Sequence, residues 1–62
     1  MNVLYVEDEE KIANFVCIGL KEHGFVVDYC NNGNDGYAHA LELEYDAIIL
    51  DIMVPGASAS AR

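Results

Sequence analysis

The 62 residues contain no tryptophan, no threonine, a single proline, two cysteines and only three lysines and arginines. Each scarcity removes a class of answer. Eleven acidic residues against those three bases give a formal charge of −8. Phosphate backbones are gripped chiefly by Lys and Arg, so a nucleic-acid-binding surface is not expected. The same shortage leaves no basic cluster for an anionic membrane. No apolar stretch approaches the roughly 20 residues of a bilayer span. The N-terminus, Met1-Asn2-Val3-Leu4-Tyr5-Val6, has neither the basic start nor the small-residue cleavage site of a secretory signal. Cys17 and Cys30 are too few for a disulfide framework and lack CxxC spacing. Both sit in apolar segments, where a buried free thiol is the common condition. A reduced, cytoplasmic protein is expected.

What the chain does have is apolar bulk. It is 53% hydrophobic and 23% charged, the composition of a globular protein rather than a disordered one. Its length allows one domain at most. A chain this small buries only about 60% of its unfolded surface, so its stability is marginal without a metal, a disulfide or a partner chain.

Val3-Leu4-Tyr5-Val6 is a β-rich run without polar alternation, the pattern of a strand covered on both faces, and it ends abruptly in Glu7-Asp8-Glu9-Glu10. From Lys11 the period lengthens. Ile12, Phe15, Val16, Gly19, Leu20 and His23 form the stripe of an amphipathic helix, with Cys17 and Ile18 off it. Glu9 and Glu10 suit the positive end of the helix dipole, Gly24 stands just past the other end, and His23 sits where the last carbonyls lie. Phe25 to Cys30 reads as a second strand, closed by the turn cluster Asn31-Asn32-Gly33-Asn34. A second helical pattern places Tyr37, Ala40, Leu41 and Tyr45 on its inner side and His39 and Glu42 toward water. Ala47-Ile48-Ile49-Leu50 is the most apolar strand run. It stops at Asp51, and Ile52-Met53-Val54-Pro55-Gly56 leads into a turn. The order β-α-β-α-β predicts a parallel α/β architecture.

Right-handed crossovers bring the carboxyl ends of all three strands to one edge. With strand 1 between the others, order 2-1-3, the topological switch point lies between strands 1 and 3, where ligands bind in sheets of this class. Glu7 and Asp8 from strand 1 and Asp51 from strand 3 are delivered there. Two unit charges about 4 Å apart repel by ~4 kcal/mol at an effective dielectric of 20. Unless one is protonated, a divalent cation is the natural remedy, and all-oxygen ligation points to Mg²⁺ or a similar hard ion. Glu9 and Glu10 read as helix-terminal or solvated acids. The histidines lack a second ligand at metal spacing, and Tyr5, Tyr29, Tyr37 and Tyr45 read as core or rim packing.

The segments Val3-Leu4-Tyr5-Val6-Glu7-Asp8-Glu9, Asn32-Gly33 and Tyr45-Asp46-Ala47-Ile48-Ile49-Leu50-Asp51-Ile52-Met53-Val54-Pro55-Gly56 resemble the N-terminal half of a bacterial two-component response regulator receiver domain, of the winged-helix DNA-binding subgroup. The resemblance covers residues 1–56 and implies half of a flavodoxin-like, doubly wound parallel sheet. It implies that Asp51 is the phosphoacceptor, receiving a phosphoryl group from a sensor histidine kinase. It also implies that Asp8, Asp51 and the Met53 carbonyl bind Mg²⁺ directly, and that Glu7 contributes largely through water. The parent protein would regulate transcription and would not be an enzyme in its own right. A complete receiver has further strands and helices, and supplies a Ser or Thr and a Lys that contact the phosphoryl group. Here Lys11 and Lys21 both lie on the first helix, and Ser58 and Ser60 lie in the segment 57–62, which reads as a disordered or non-native tail.

The reversal from strand 2 to strand 3 puts the two helices on opposite faces, so half of a receiver leaves sheet uncovered and makes strand 3 an open edge. Such apolar surface predicts a homodimer or higher oligomer, with strand 3 at its centre and Cys17 and Ile18 as further contacts. Two readings follow: a signalling module acting through Asp51, or a self-associating half-fold without phosphotransfer. A phosphohydrolase using Asp51 as nucleophile is a distant third, because position 53 is Met rather than a second aspartate.

Overall fold

A computed structural model describes residues 1–51 as three strands and two helices. They are β1 (Asn2–Glu7), α1 (Glu10–Glu22), β2 (Val26–Cys30), α2 (Gly33–Glu42) and β3 (Ala47–Asp51). The strands are parallel, as the alternation of apolar runs and helical periods predicts, and lie in the order β2-β1-β3 that the receiver resemblance implies. The turn expected at 52–56, the Met53 carbonyl and the tail at 57–62 lie outside the described residues. No helix among the described residues is long and apolar enough to cross a membrane.

Local chemistry sets the helix ends. Glu9, in extended conformation, precedes α1, its carbonyl accepts from Ala13 N–H at 2.9 Å, and Glu10 lies in the first turn, where the dipole favours negative charge. At the other end the His23 ring Nδ1 lies 2.9 Å from the Gly19 carbonyl. Gly24 then takes φ +88°, a left-handed conformation that L side chains adopt only with strain. The α2 start is a side-chain cap: the Asn32 amide oxygen accepts from Asp35 N–H at 2.8 Å. Asn2 and Asp46 clasp the start of β3 to the start of β1. Asn2 N–H donates to the Asp46 carboxylate at 2.7 Å, and Asp46 N–H donates back to the Asn2 carbonyl at 2.8 Å.

The core is β1. Val3, Leu4, Tyr5, Val6 and even Glu7 are buried, because β1 alone has a strand on each side and a helix over each face. Leu4 and Val6 pack with Cys30, Ala40 and Tyr45 on the α2 side. Val3, Tyr5 and Glu7, one residue out of phase, face the α1 side. Among the described residues both helices pack on β1 and β2, and neither packs on β3. All five residues of β3 are therefore exposed, Leu50 at 70%. The most apolar run in the sequence is the least covered strand.

The helix stripes differ from those the sequence predicts. In α1 the buried residue is Ala13, with Val16, Cys17 and Leu20 half-buried behind it. Ile12 and Phe15, expected on the inner stripe, are exposed, Phe15 at 79%, and Cys17, expected off the stripe, is on it. In α2 the buried residue is Gly36 rather than Tyr37 or Leu41, which are exposed. His39, expected in water, is half-buried, with its Nδ1 2.9 Å from the Asp35 carbonyl and 3.5 Å from Cys30 Sγ. The physical reason is closeness of approach. A helix presses nearest to a sheet where its side chain is smallest, and that contact rather than the bulkiest residues fixes the inward face.

Two of the helical glycines, Gly19 and Gly36, test this. A Cβ at Gly36 would stand 2.6 Å from Val6 Cγ2, whereas at Gly19 it would meet nothing within 4 Å. Gly36→Ala should therefore destabilise the fold by about 1–2 kcal/mol, overpacking outweighing the gain in helix propensity. Gly19→Ala should stabilise it by about 0.4–1 kcal/mol. Urea midpoints moving in opposite directions are the expected outcome; equal shifts would count against helix α2 resting on Val6.

Candidate functional site at the carboxyl edge of the sheet

All three strands end at one edge, and the β1–β3 register carries the acids to it. Glu7 and Asp51 are paired across the two strands, and neighbouring strands lie about 4.8 Å apart. Asp8 follows Glu7 immediately. The edge that the strand endings predict is thus formed, but its three acids differ in state. Asp8 and Asp51 are exposed, while Glu7 is only 3% exposed.

A carboxylate so deeply buried is costly unless it accepts hydrogen bonds. Glu7 has a donor for each oxygen: Tyr5 O–H gives to Oε1 at 3.2 Å, and Glu9 N–H gives to Oε2 at 3.0 Å. Its backbone carbonyl accepts from Tyr29 O–H at 2.7 Å. The two rings sit 6.0 Å apart at 44° to each other, so a tilted tyrosine pair brackets the acid from β1 and β2. Among the described residues no buried side-chain nitrogen or oxygen lacks a partner.

Tyrosine chemistry registers this acidic field. Burial, then the Glu7 charge and hydrogen bond, with Asp51 adding to them, push Tyr5 up from 10.0 to about 12. Burial and the surrounding acids Glu10, Glu7 and Asp8 also raise Tyr29. At the opposite edge Tyr45 O–H donates to the Asp28 carboxylate at 2.6 Å, and that bond, with burial behind it, raises Tyr45 to about 12. Burial is the main cause holding the Cys30 thiol above its ordinary range, with Asp35 and Asp28 adding to it.

The tyrosine bracket on Glu7 is the part of the site that sequence reading misses when it treats these rings as packing alone. A signal was present: Tyr5 and Glu7 are two apart on one strand, and a strand puts such residues on the same face. The Cys30–His39 contact has no comparable sequence signal, since nine positions separate two different elements.

As a cation site the edge has the chemistry of a hard-ion binder, all oxygen, with two exposed carboxylates open to water. Among the described residues no group of three or more His, Cys, Asp or Glu side chains is already gathered to hold a metal ion. Glu7 points its charge into the Tyr5 and Glu9 donors, leaving Asp8 and Asp51 as the acids accessible from outside.

Comparison with known proteins bears on this geometry. No protein-family model matches the chain, and no solved structure does. Curated relatives match it strongly over nearly all of its length. It is 53% identical over 55 residues to the transcriptional regulatory protein CusR of Escherichia coli (strain K12), covering 89% of this chain. It is 51% identical over 55 residues to the probable transcriptional regulatory protein SilR of Salmonella typhimurium. Similarity extends to the response regulator ArlR of Staphylococcus epidermidis, at 43% over 54 residues. The chain spans about a quarter of the length of these relatives, 24% for CusR and SilR and 25% for ArlR.

The shifts at Tyr5 and Tyr45 give the fold a pH limit. Tyrosine ionises near 10 when unfolded, and both folded values lie near 12. Their contribution is complete below pH 10 and is lost as pH rises toward 12. Urea stability should decline over that interval and decline less steeply in a Tyr5→Phe, Tyr45→Phe double variant. Tyrosinate absorbance checks the titration directly. Over nearly 90% of its length the chain is similar to transcriptional response regulators, and its parallel β2-β1-β3 sheet matches the half-fold that the receiver resemblance predicts.

Proposed function

We propose that Asp51 is a phosphoacceptor and that this chain represents the phosphoryl-accepting half of a receiver domain in a cytoplasmic, transcription-regulating parent. One observation carries the reading: the exposed Asp51 ends a parallel strand in register with Glu7, the residue before Asp8, at the switch point of a β2-β1-β3 sheet. The relatives named as transcriptional regulators support it over the stretch they share with the chain.

In this reading a carboxylate oxygen of Asp51 attacks phosphorus, and the bond from phosphorus to its donor breaks. The donor is a phosphohistidine of a sensor kinase, and the product is an acyl phosphate on Asp51. Exposure leaves Asp51 free to meet the donor in line, while Glu7, anchored by Tyr5 and the Glu9 amide, keeps its charge fixed behind the reacting group. Asp8 and Asp51 would hold Mg²⁺ together with the Met53 carbonyl, Glu7 acting through water. Bound there, the ion offsets the negative charge of carboxylate and phosphoryl group.

The test is incubation with acetyl phosphate and Mg²⁺ followed by intact mass. The expected outcome is an adduct of one phosphoryl group, absent from Asp51→Asn and absent when Mg²⁺ is chelated. An adduct that persists in Asp51→Asn would overturn the assignment. Mg²⁺ should also raise the melting temperature, since it binds the folded edge and not the unfolded chain.

A second reading is favoured by the full exposure of β3: the isolated chain self-associates as a homodimer or higher oligomer and does not carry out phosphotransfer. No adduct, in a chain that sediments as an oligomer, is its expected signature.

A further inference from the structure

Glu7 is the acid of this edge that the fold holds back. It ends the strand that is buried from Val3 onward, and at 3% exposure it is nearly as enclosed as the apolar residues before it. Both of its carboxylate oxygens are engaged from within. Tyr5 O–H donates to Oε1 at 3.2 Å, and Glu9 N–H donates to Oε2 at 3.0 Å. Tyr5 is itself buried, so its hydroxyl cannot turn to water instead. The two tyrosines that meet at Glu7 have different tasks. Tyr29 O–H donates at 2.7 Å to the Glu7 backbone carbonyl and so fixes the main chain at the end of β1. Tyr5 fixes the side chain.

We infer that Tyr5 is a positioning residue that sets the ion preference of the carboxyl edge, by keeping Glu7 out of direct contact with a bound cation. The inference rests on the proposed reading of Asp8 and Asp51 as the acids that hold the ion.

Ligand number decides the preference. Mg²⁺ is small, keeps several of its waters and is usually held by one or two carboxylates, whereas Ca²⁺ takes roughly six to eight oxygens in looser geometry. Two exposed acids, with a third already satisfied by a hydroxyl and an amide, suit the smaller ion. Glu7 and Asp51 are paired across β1 and β3, and residues opposite each other in a sheet project from the same face. A Glu7 carboxylate released from Tyr5 therefore needs only a side-chain rotation, and no shift of strand, to join Asp51. Removing the Tyr5 hydroxyl leaves Oε1 as a buried, charged acceptor without its donor, which is costly. A cation at Asp8 and Asp51 is then the partner that Oε1 can gain. Glu7 becomes a third direct carboxylate, and the edge turns toward the larger ion.

Calorimetric titration of the chain with Mg²⁺ and separately with Ca²⁺ reads the preference. In Tyr5→Phe the affinity for Ca²⁺ relative to Mg²⁺ should rise about tenfold, the scale on which outer-shell partners change metal affinity. Tyr29→Phe leaves the carboxylate bonds in place, and should lower the urea midpoint without moving that ratio. Tb³⁺, another hard ion, is sensitised here by tyrosine alone because the chain has no tryptophan. Its luminescence lifetimes in H₂O and D₂O count the waters on the ion. The count should fall by about one or two in Tyr5→Phe, as a carboxylate enters with one oxygen or both. It should return to the original value in the Tyr5→Phe, Glu7→Gln double variant. Glu7→Gln alone should leave the count unchanged, because Glu7 is not a direct ligand while Tyr5 holds it; this arm decides the matter even where Tyr5→Phe fails to fold. A ratio and a count that Tyr5→Phe does not move, or a count that rises in Glu7→Gln alone, would overturn the role of Tyr5 and leave Asp8 and Asp51 as the ion's acids. Ions that do not bind the unsubstituted chain, or bind the Asp8→Asn, Asp51→Asn variant equally well, would overturn both.

Discussion

Among the described residues β1 is the one element with hydrogen-bonded neighbours on both sides and a helix on each face, and the other elements take their positions from it. Burial on that strand does not stop where its apolar residues stop. It continues through Glu7, because the strand and its covering continue one residue past Val6. A charge forced indoors by its place in the strand must find donors there. The Tyr5 hydroxyl from the same strand and the Glu9 backbone N–H from the turn that follows are those donors, while the Tyr29 hydroxyl on β2 donates to the Glu7 backbone carbonyl. The acid edge and the hydrophobic core are therefore not separate layers. Tyr5, which fills the core on the α1 side, also secures the acid at its rim.

The small residues of the helices follow from the same constraint. To cover a strand buried to 1% and 2% exposure, each helix must come close, and it does so at Ala13 and Gly36. Element order and parallel strand direction were legible because alternation of period survives whatever the packing, and the β2-β1-β3 order was what the receiver resemblance implied. Helix rotation was not, because a hydrophobic stripe read from sequence weights bulk, and bulk here faces outward at Ile12, Phe15, Tyr37 and Leu41. Those residues are apolar for a contact that the described residues do not make. A stripe shared between two contacts looks like one broad face, and periodicity alone cannot divide it.

Within the candidate site the carboxylates were legible for a simple reason. An acid that ends an apolar run breaks pattern, and two such breaks in parallel strands must meet at one edge. Their differing states were not legible. Nothing in the letters Glu7-Asp8 says that the first is buried and the second open; that follows from which face each takes and from what stands there. Tyr5 could have been read as the partner of Glu7 from the two-residue strand period. Tyr29 could not, since its reach to the Glu7 carbonyl depends on the β1–β2 register, which pairs Tyr5 with Tyr29.

β3 joins the acid edge to the strand that carries it. Among the described residues Asp51 stands at the end of a strand held on one side only, by β1, with the Asn2–Asp46 clasp fixing the far end of that pairing. The orientation of its carboxylate relative to Glu7 and Asp8 is then only as firm as one ladder of hydrogen bonds. Acid positions at such an edge must be held in place against their mutual repulsion, which pushes β3 away from β1 at the end where Glu7 and Asp51 meet. A strand on the outer side of β3 would resist that motion by closing the edge. It would do so without touching the acids. The apolar faces at Ile48, Ile49 and Leu50 thus bear on the same physical problem as the acids they precede: a charged strand end stays in register only when the strand behind it is held.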